Sequence, residues 1–286
     1  MLVGLERQLM ANFSLTAQVI DRRFRDFMGF VDTGSIYSQT QKTDPGVDGR
    51  SGTADDGKSL TVFTLTNPGK EFKLFTNPAN AFRDYRAFQL IGTKRYSSNW
   101  QASLSYTWSH AHGTVDNRSG TNSGAGGTQG LGQTGGFADP NHLINIDGDM
   151  RFDPTHSVKL EGTYRLPFLG GFNLSSVYRY TTGLAWGRTA TIRGLAQGNA
   201  AVRIEPIGTR RTDAINNVDF RVEKTFPLGA SDRRLGVYLD LFNLNNQGVN
   251  DAGSRTSVIE ASGTTFGNPN VWISPRLARL GFRVTF

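Results

Sequence analysis

Apolar and polar residues alternate along this chain in nine stretches, with the period of a strand rather than a helix. Trp100–His110 is the most regular. Trp100, Ala102, Leu104, Tyr106 and Trp108 fall on one face, and Gln101, Ser103, Ser105, Thr107 and Ser109 on the other. The last stretch, Arg276–Phe286, repeats the pattern: Ala278, Leu280, Phe282, Val284 and Phe286 oppose Leu277, Arg279, Gly281, Arg283 and Thr285. The others are Leu2–Leu9, Phe13–Arg25, Asp84–Tyr96 (the least regular), Thr155–Leu166, Phe172–Thr182, Asn216–Phe226 and Arg234–Leu244. Most are about ten residues long, the length a tilted strand needs to cross a bilayer. Such a strand asks for an apolar environment on one side and a polar one on the other.

The connections alternate as well. Met10–Asn12, Ser97–Asn99, Pro167–Gly171 and Pro227–Arg233 are short, whereas 26–83, 111–154, 183–215 and 245–275 are long. A soluble sandwich uses mostly short connections, and several loops of about thirty residues or more in one compact domain are rare. Short turns alternating with long loops are instead the outer-membrane pattern of tight periplasmic turns and long extracellular loops. Phe286 then ends at the periplasmic face. Phe13, Tyr96, Trp100, Trp108, Phe172 and Phe226 lie near strand ends, where interfacial aromatic girdles are expected. An odd count of nine does not suit a bacterial barrel, and an open sheet presents unpaired edges to lipid. The expected fold is all-β: a transmembrane antiparallel β-barrel, partial, with its closing strand upstream.

Composition narrows this reading. Hydrophobic residues make up 37% of the chain, too few for a helical membrane protein, and no stretch approaches the roughly 20 apolar residues of a transmembrane helix. The net charge of +7 comes from Arg residues scattered singly, so no basic patch for nucleic acid forms. The absence of Cys excludes disulfides and thiolate metal sites. Met1-Leu-Val-Gly-Leu-Glu-Arg7 enters a strand pattern at once, without an export leader. A C-terminal segment of a longer exported protein is therefore expected.

Candidate chemistry is sparse. In the first long loop Asp44, Asp48, Gly49 and Asp55 fall where an EF-hand places its first, fifth, sixth and twelfth residues, which makes Asp44, Asp48 and Asp55 candidate calcium ligands. Gly46 stands where an acid is usual, and a Gly/Asp-rich turn cluster accounts for the same residues. His110 and His112 share a strand face, with His142 in the next loop and His156 further on, yet no acid in the sequence completes an obvious metal set. Ser103, Ser105 and Ser109 precede His110, but no nucleophile elbow surrounds them and they read as polar fillers, so no enzyme is expected. The tract Gly124–Gly136 lacks the Lys-Ser/Thr ending of a phosphate loop. Arg165, Arg179, Arg221, Arg279 and Arg283 fall on polar faces, where Glu161, Asp219, Glu223 and Asp240 are expected to pair with them and an anionic ligand is the alternative.

Several motifs carry a family resemblance. Asp139-Pro-Asn-His-Leu-Ile-Asn145, Phe152-Asp-Pro-Thr-His-Ser-Val-Lys-Leu-Glu-Gly-Thr-Tyr-Arg-Leu-Pro-Phe168 and Leu235-Gly-Val-Tyr-Leu-Asp-Leu-Phe-Asn-Leu-Asn-Asn246 resemble the C-terminal barrel of TonB-dependent outer-membrane transporters. The Oar-like group, with its carboxypeptidase-regulatory-like domain, is the most similar. Leu280, Phe282, Val284 and Phe286 resemble the signal read by the barrel assembly machinery. The resemblance implies about nine strands of a barrel of about 22, with 1–286 as its C-terminal part and the plug outside this chain. It also implies import of a scarce nutrient by the parent protein in the Gram-negative outer membrane. Implied partners are outer-membrane lipid and lipopolysaccharide, the assembly machinery, the N-terminal barrel and plug, and the TonB complex through the parent. Two other readings stay open: a surface-display or adhesion barrel without transport, and a complete smaller porin-like barrel.

Overall fold

The computed structural model describes residues 1–115, 137–169, 171–229, 233–248, 258–269 and 271–286; the tract Gly124–Gly136 lies outside them. Period-two alternation becomes strand wherever it was expected. β1 (Leu2–Met10) and β2 (Phe13–Phe24) form the first hairpin, and β3 (Gly29–Asp32), β4 (Tyr37–Thr43), β5 (Ser59–Leu65) and β6 (Lys73–Thr76) occupy the first long connection. β7 (Arg83–Ser97) and β8 (Trp100–Gly113) form the second hairpin, followed by a 3-10 turn at Pro140–Leu143 and β9 (Gly148–Asp149). β10 (His156–Leu166) and β11 (Phe172–Thr181) form the third, followed by β12 (Ala185–Trp186), β13 (Thr189–Leu195), β14 (Gly198–Arg203) and β15 (Arg210–Arg211). β16 (Ile215–Pro227), β17 (Arg234–Phe242) and β18 (Leu277–Thr285) complete the order. Among the described residues there is no α-helix.

The nine long strands pair antiparallel in sequence order, β1-β2-β7-β8-β10-β11-β16-β17-β18, and β9 adds to the far end of β8. β1 and β18 are the two edges, so the wall is open. Register keeps like with like, because directly opposed residues share a face. Leu104 opposes Leu160, Leu160 opposes Tyr178, and Tyr178 opposes Val218. Further along, Val222 opposes Leu239 and Leu239 opposes Leu280. The result is one continuous apolar outer face and one polar inner face. The turn between β7 and β8 holds Ser98 at φ 51° and Asn99 at φ 67°. Two successive positive φ values suit the strand twist of a two-residue hairpin.

One aromatic departs from strict alternation. Tyr96 is expected in the outer girdle, but the ladder shifts register between Lys94 and Ser97. The extra residue rotates Tyr96 to the inner side, where it lines a concavity with Gln101, Thr163 and Arg165. Trp100, Phe172 and Phe226 keep to the outer face. Lys94 lies over the Trp100 ring (4.7 Å), and Lys224 over Phe172 (4.6 Å) and Phe226 (5.3 Å). These ammonium groups reach past aromatic rings at the short-turn end, as at the edge of an apolar layer.

The buried core lies in the long connections, not in the wall. Val62 of β5, Ile192 and Leu195 of β13, and Ala200 and Val202 of β14 pack together, with Leu60 and Ile144 against them. The connections fold over the long-loop end of the inner face and bury Ile20, Ala87, Ser109 and Ala111 of β2, β7 and β8. We call this assembly the cap.

Candidate functional site

The cap and the inner wall beneath it form the candidate site. The cap is built by side chains that satisfy backbone groups of another connection. Asp139 caps the 3-10 turn by accepting the Asn141 N–H (2.8 Å). Asn141, fully buried, then donates to the Phe63 carbonyl and accepts the Phe63 N–H, both at 2.8 Å. Gln197 repeats the arrangement, donating to the Phe63 carbonyl and accepting the Leu65 N–H, both at 2.9 Å. The open edge of β5 is thereby closed by two amides from different connections, removing unpaired donors that would otherwise face burial. Asn145 donates to the Arg203 (2.8 Å) and Ile204 (3.1 Å) carbonyls. The Asp139–Asn145 motif is thus a clasp between the second connection and two others.

Ion pairs brace the same assembly. The buried Arg188 guanidinium donates to both carboxylate oxygens of buried Asp44, to the Gly46 carbonyl (2.7 Å) and to the Ser262 hydroxyl (3.0 Å). Arg151 pairs with Glu260. Arg210 pairs with Glu205 (2.7 Å), which holds the Glu205 carboxyl below its ordinary range.

The candidate calcium residues Asp44, Asp48 and Asp55 each have partners within the chain. Asp44 meets the Arg188 guanidinium, so its cation comes from the chain itself. Asp55 accepts the Thr53 hydroxyl (2.6 Å) and the Val47 and Asp48 N–H groups (2.7 and 3.0 Å); the hydroxyl is the main reason its pKa is lowered. Asp48 turns to the Arg50 N–H (2.8 Å). Among the described residues, the oxygens of Asp44, Asp48 and Asp55 do not gather as a set one ion could hold. Spacing along the loop resembled a calcium ligand pattern, but the turn hydrogen bonds and Arg188 use the carboxylates.

Below the cap the inner wall is polar. Asp240, buried on β17, accepts from Arg221 of β16 (2.5 and 3.0 Å) and Arg279 of β18 (2.6 and 2.9 Å). Glu223 pairs with Arg283 (3.1 Å). Three of the five arginines therefore tie neighbouring strands together, as expected. Arg165 and Arg179 form no ion pair among the described residues. Arg165 lines a concavity of ≈ 560 Å³ with Tyr96, Asn173, Arg234 and Arg283. A second, of ≈ 540 Å³, is lined by Thr93, Gln101, Ser103, Glu161, Thr163 and Ser175. These surfaces can hydrogen-bond a polar ligand or another folded segment.

The serine–histidine arrangement does not assemble on β8. Ser109 donates to Asp153 (2.6 Å), while His110 projects from the opposite face. Asp153 also accepts the Ala111 N–H (2.5 Å), yet burial raises its pKa. His156 meets the Tyr106 hydroxyl (3.0 Å). His110 and His112 do gain an acid, which spacing alone did not reveal: Asp149 of β9 pairs opposite His112. The edge strand β18 displays Leu280, Phe282 and Val284 outward, with Phe286 just beyond it.

A family model described as an outer membrane beta barrel domain matches residues 1–203. Among solved structures, the outer membrane transporter YddB from Escherichia coli is similar, with 11% identity and a TM-score of 0.52. The match covers 98% of this chain and 31% of that one. At that identity the likeness is one of fold, and the chain spans less than a third of the transporter's length. No curated protein sequence matches.

Proposed function

From the premise that this chain belongs to the outer membrane β-barrel domain family and lies in the Gram-negative outer membrane, we propose that it is the C-terminal barrel part of a TonB-dependent transporter that imports a scarce nutrient. The observation that carries this reading is the pairing of a polar, concave inner wall with a cap in which four long connections interlock. A display barrel needs no lined interior, and a small porin needs no interlocked cap. The fold likeness to an outer membrane transporter supports the same reading.

In this reading the apolar outer face meets lipid and the cap faces outside, where lipopolysaccharide surrounds it. β1 and β18 pair with further strands of the parent, because unpaired edges in lipid cost several kcal/mol per orphaned group. The plug of the parent rests on the inner wall. Substrate is captured between cap and plug, and TonB-transmitted force rearranges the plug. Leu280, Phe282, Val284 and Phe286 engage the assembly machinery.

The test compares cells carrying or lacking the gene for uptake of labelled siderophores, cobalamin, oligosaccharides and peptides, with and without a protonophore. Uptake of one compound that is gene-dependent and abolished by the protonophore is expected. Gene-dependent entry insensitive to the protonophore would replace this reading with a porin. Surface adhesion without any uptake would replace it with a display barrel.

A further inference from the structure

The outer face of β8 does not end at its last aromatic. His110 and His112 follow Trp108 at the same parity, so both imidazoles stand on the outer wall just beyond the apolar band. β9 pairs with this end of β8 and sets Asp149 opposite His112. The rings stack with centroids 5.9 Å apart and planes at 25°. Asp149 Oδ1 lies 3.9 Å from His110 Nε2 and 3.7 Å from His112 Nδ1. All three ligand atoms lie within 4.8 Å of one another. Around a tetrahedral ion with bonds of about 2.0–2.2 Å, ligand atoms stand about 3.3–3.6 Å apart. The two Asp149 distances need a contraction of a few tenths of an ångström, and the His110–His112 separation one of at most about 1.5 Å, to reach that spacing.

A second observation separates this cluster from an ordinary ion-pair patch. His112 Nε2 lies 2.9 Å from Asp147 Oδ1. A carboxylate on one ring nitrogen holds the proton there and leaves Nδ1 with a lone pair aimed toward Asp149. This is the carboxylate–histidine arrangement that orients metal-bound imidazoles. The other oxygen of Asp149, Oδ2, accepts from Arg211 Nη2 at 3.2 Å, which leaves Oδ1 to face the histidines. His110 and His112 are about half exposed, so an ion can enter and one or two coordination positions stay open to water.

We propose that His110 Nε2, His112 Nδ1 and Asp149 Oδ1 bind a divalent transition metal ion on the outer wall, with Asp147 and Arg211 as positioning residues. Two imidazoles and one carboxylate suit Zn²⁺, Ni²⁺ or Cu²⁺ rather than Ca²⁺ or Mg²⁺, which prefer oxygen shells. The bound ion clips β9, and with it the second long connection, to the rim of β8. This site does not depend on the import reading, since its ligands lie outside the inner wall.

The experiment uses the full-length protein extracted from outer membranes in detergent, stripped with chelator and titrated with Zn²⁺ by calorimetry. One Zn²⁺ per chain is expected to bind, while Ca²⁺ does not. Binding should vanish in His110→Ala/His112→Ala. It should weaken about 10–100-fold in Asp147→Asn, as for other partners that orient metal-bound histidines. Co²⁺ should give a visible absorption band that is lost in Asp149→Asn. Heat-dependent gel mobility confirms that each variant is folded. No Zn²⁺ binding by the wild type, or equal binding by the folded double-histidine variant, would overturn the assignment.

Discussion

The wall and the cap hide opposite kinds of residue. In the cap, Val62 and Val202 are 0% exposed, and Ile192, Leu184 and Trp186 are buried. In the wall, Leu280 and Phe282 are 76% and 77% exposed, whereas the Asp240 side chain is only 4% exposed between two arginines. The physical rule is the same and the solvents differ. The cap folds in water and gains from burying apolar surface. The wall folds in lipid, where apolar surface gains nothing by being buried and every backbone group must be paired. Stability in the cap therefore rests on packing and buried polar clasps, and in the wall on ladder hydrogen bonds and cross-strand charge pairs.

The comparison breaks most visibly at Arg188. Removing one partner of a buried ion pair leaves an uncompensated charge and costs about 3–5 kcal/mol. Arg188→Ala strands Asp44 and also frees the Gly46 carbonyl and the Ser262 hydroxyl. Native-state hydrogen exchange of the full-length protein should show lost protection around 44–62 and 188–203, with the β11–β16 ladder unchanged. Equal loss in the wall would show that cap and wall are one cooperative unit.

The next effect reverses the environment. Leu160→Arg places a charge on the outer face near the middle of β10, where transmembrane barrels lose about 2–4 kcal/mol. The same arginine at Ser103, which opposes Glu161 across the inner face, should cost little. Folding titrations into lipid vesicles measure both. Equal costs would mean that the outer face does not meet lipid.

Sequence and structure agree where one physical rule acts alone. All nine wall strands were legible because each must serve lipid and lumen at once, which imposes strict alternation. Tyr96 was misplaced because alternation cannot register the bulge after Lys94. The Asp44 partner was not legible from the spacing of Asp44, Asp48 and Asp55, because Arg188 arrives from 144 residues away. Asp149 was missed beside His110 and His112 for the same reason: β9 delivers it by a pairing of two residues, too short to leave a periodic signal. The cap core was invisible because its strands are short and its contacts run between connections.

A smaller effect sharpens how the cap is fastened. Asn141→Leu keeps the volume roughly constant but leaves the Phe63 N–H without its partner and removes one of two donors to the Phe63 carbonyl. An unsatisfied buried group costs about 1–3 kcal/mol. Protease nicking within β4–β5 should accelerate, while heat-dependent gel mobility of the wall persists. Gln197→Leu should act in the same direction, and the double variant should cost more than either alone, since both amides serve one strand edge.

The smallest effect separates two carboxylates in the water-facing connections by pH. Burial pushes the Asp32 pKa up, but the Ser35 hydroxyl and the N–H groups of Phe72, Gly34 and Ser35 together bring it down to about 2, from an ordinary 3.8. A folded value below the unfolded one stabilises the β3–β6 pairing above about pH 4. That contribution disappears as pH falls toward about 2. Asp153 runs the other way: burial raises its pKa despite the Ser109 hydroxyl and the Ala111 N–H. Its contribution is present in acid and is lost as pH rises through the folded value. Acidification should thus lower the protection of the Phe72, Gly34 and Ser35 amides while the Ala111 amide does not weaken with them. Protection factors across that range test both signs in one sample. Asp32→Asn should abolish the acid response at the first three amides alone, and a response that survives the substitution would assign it to another group.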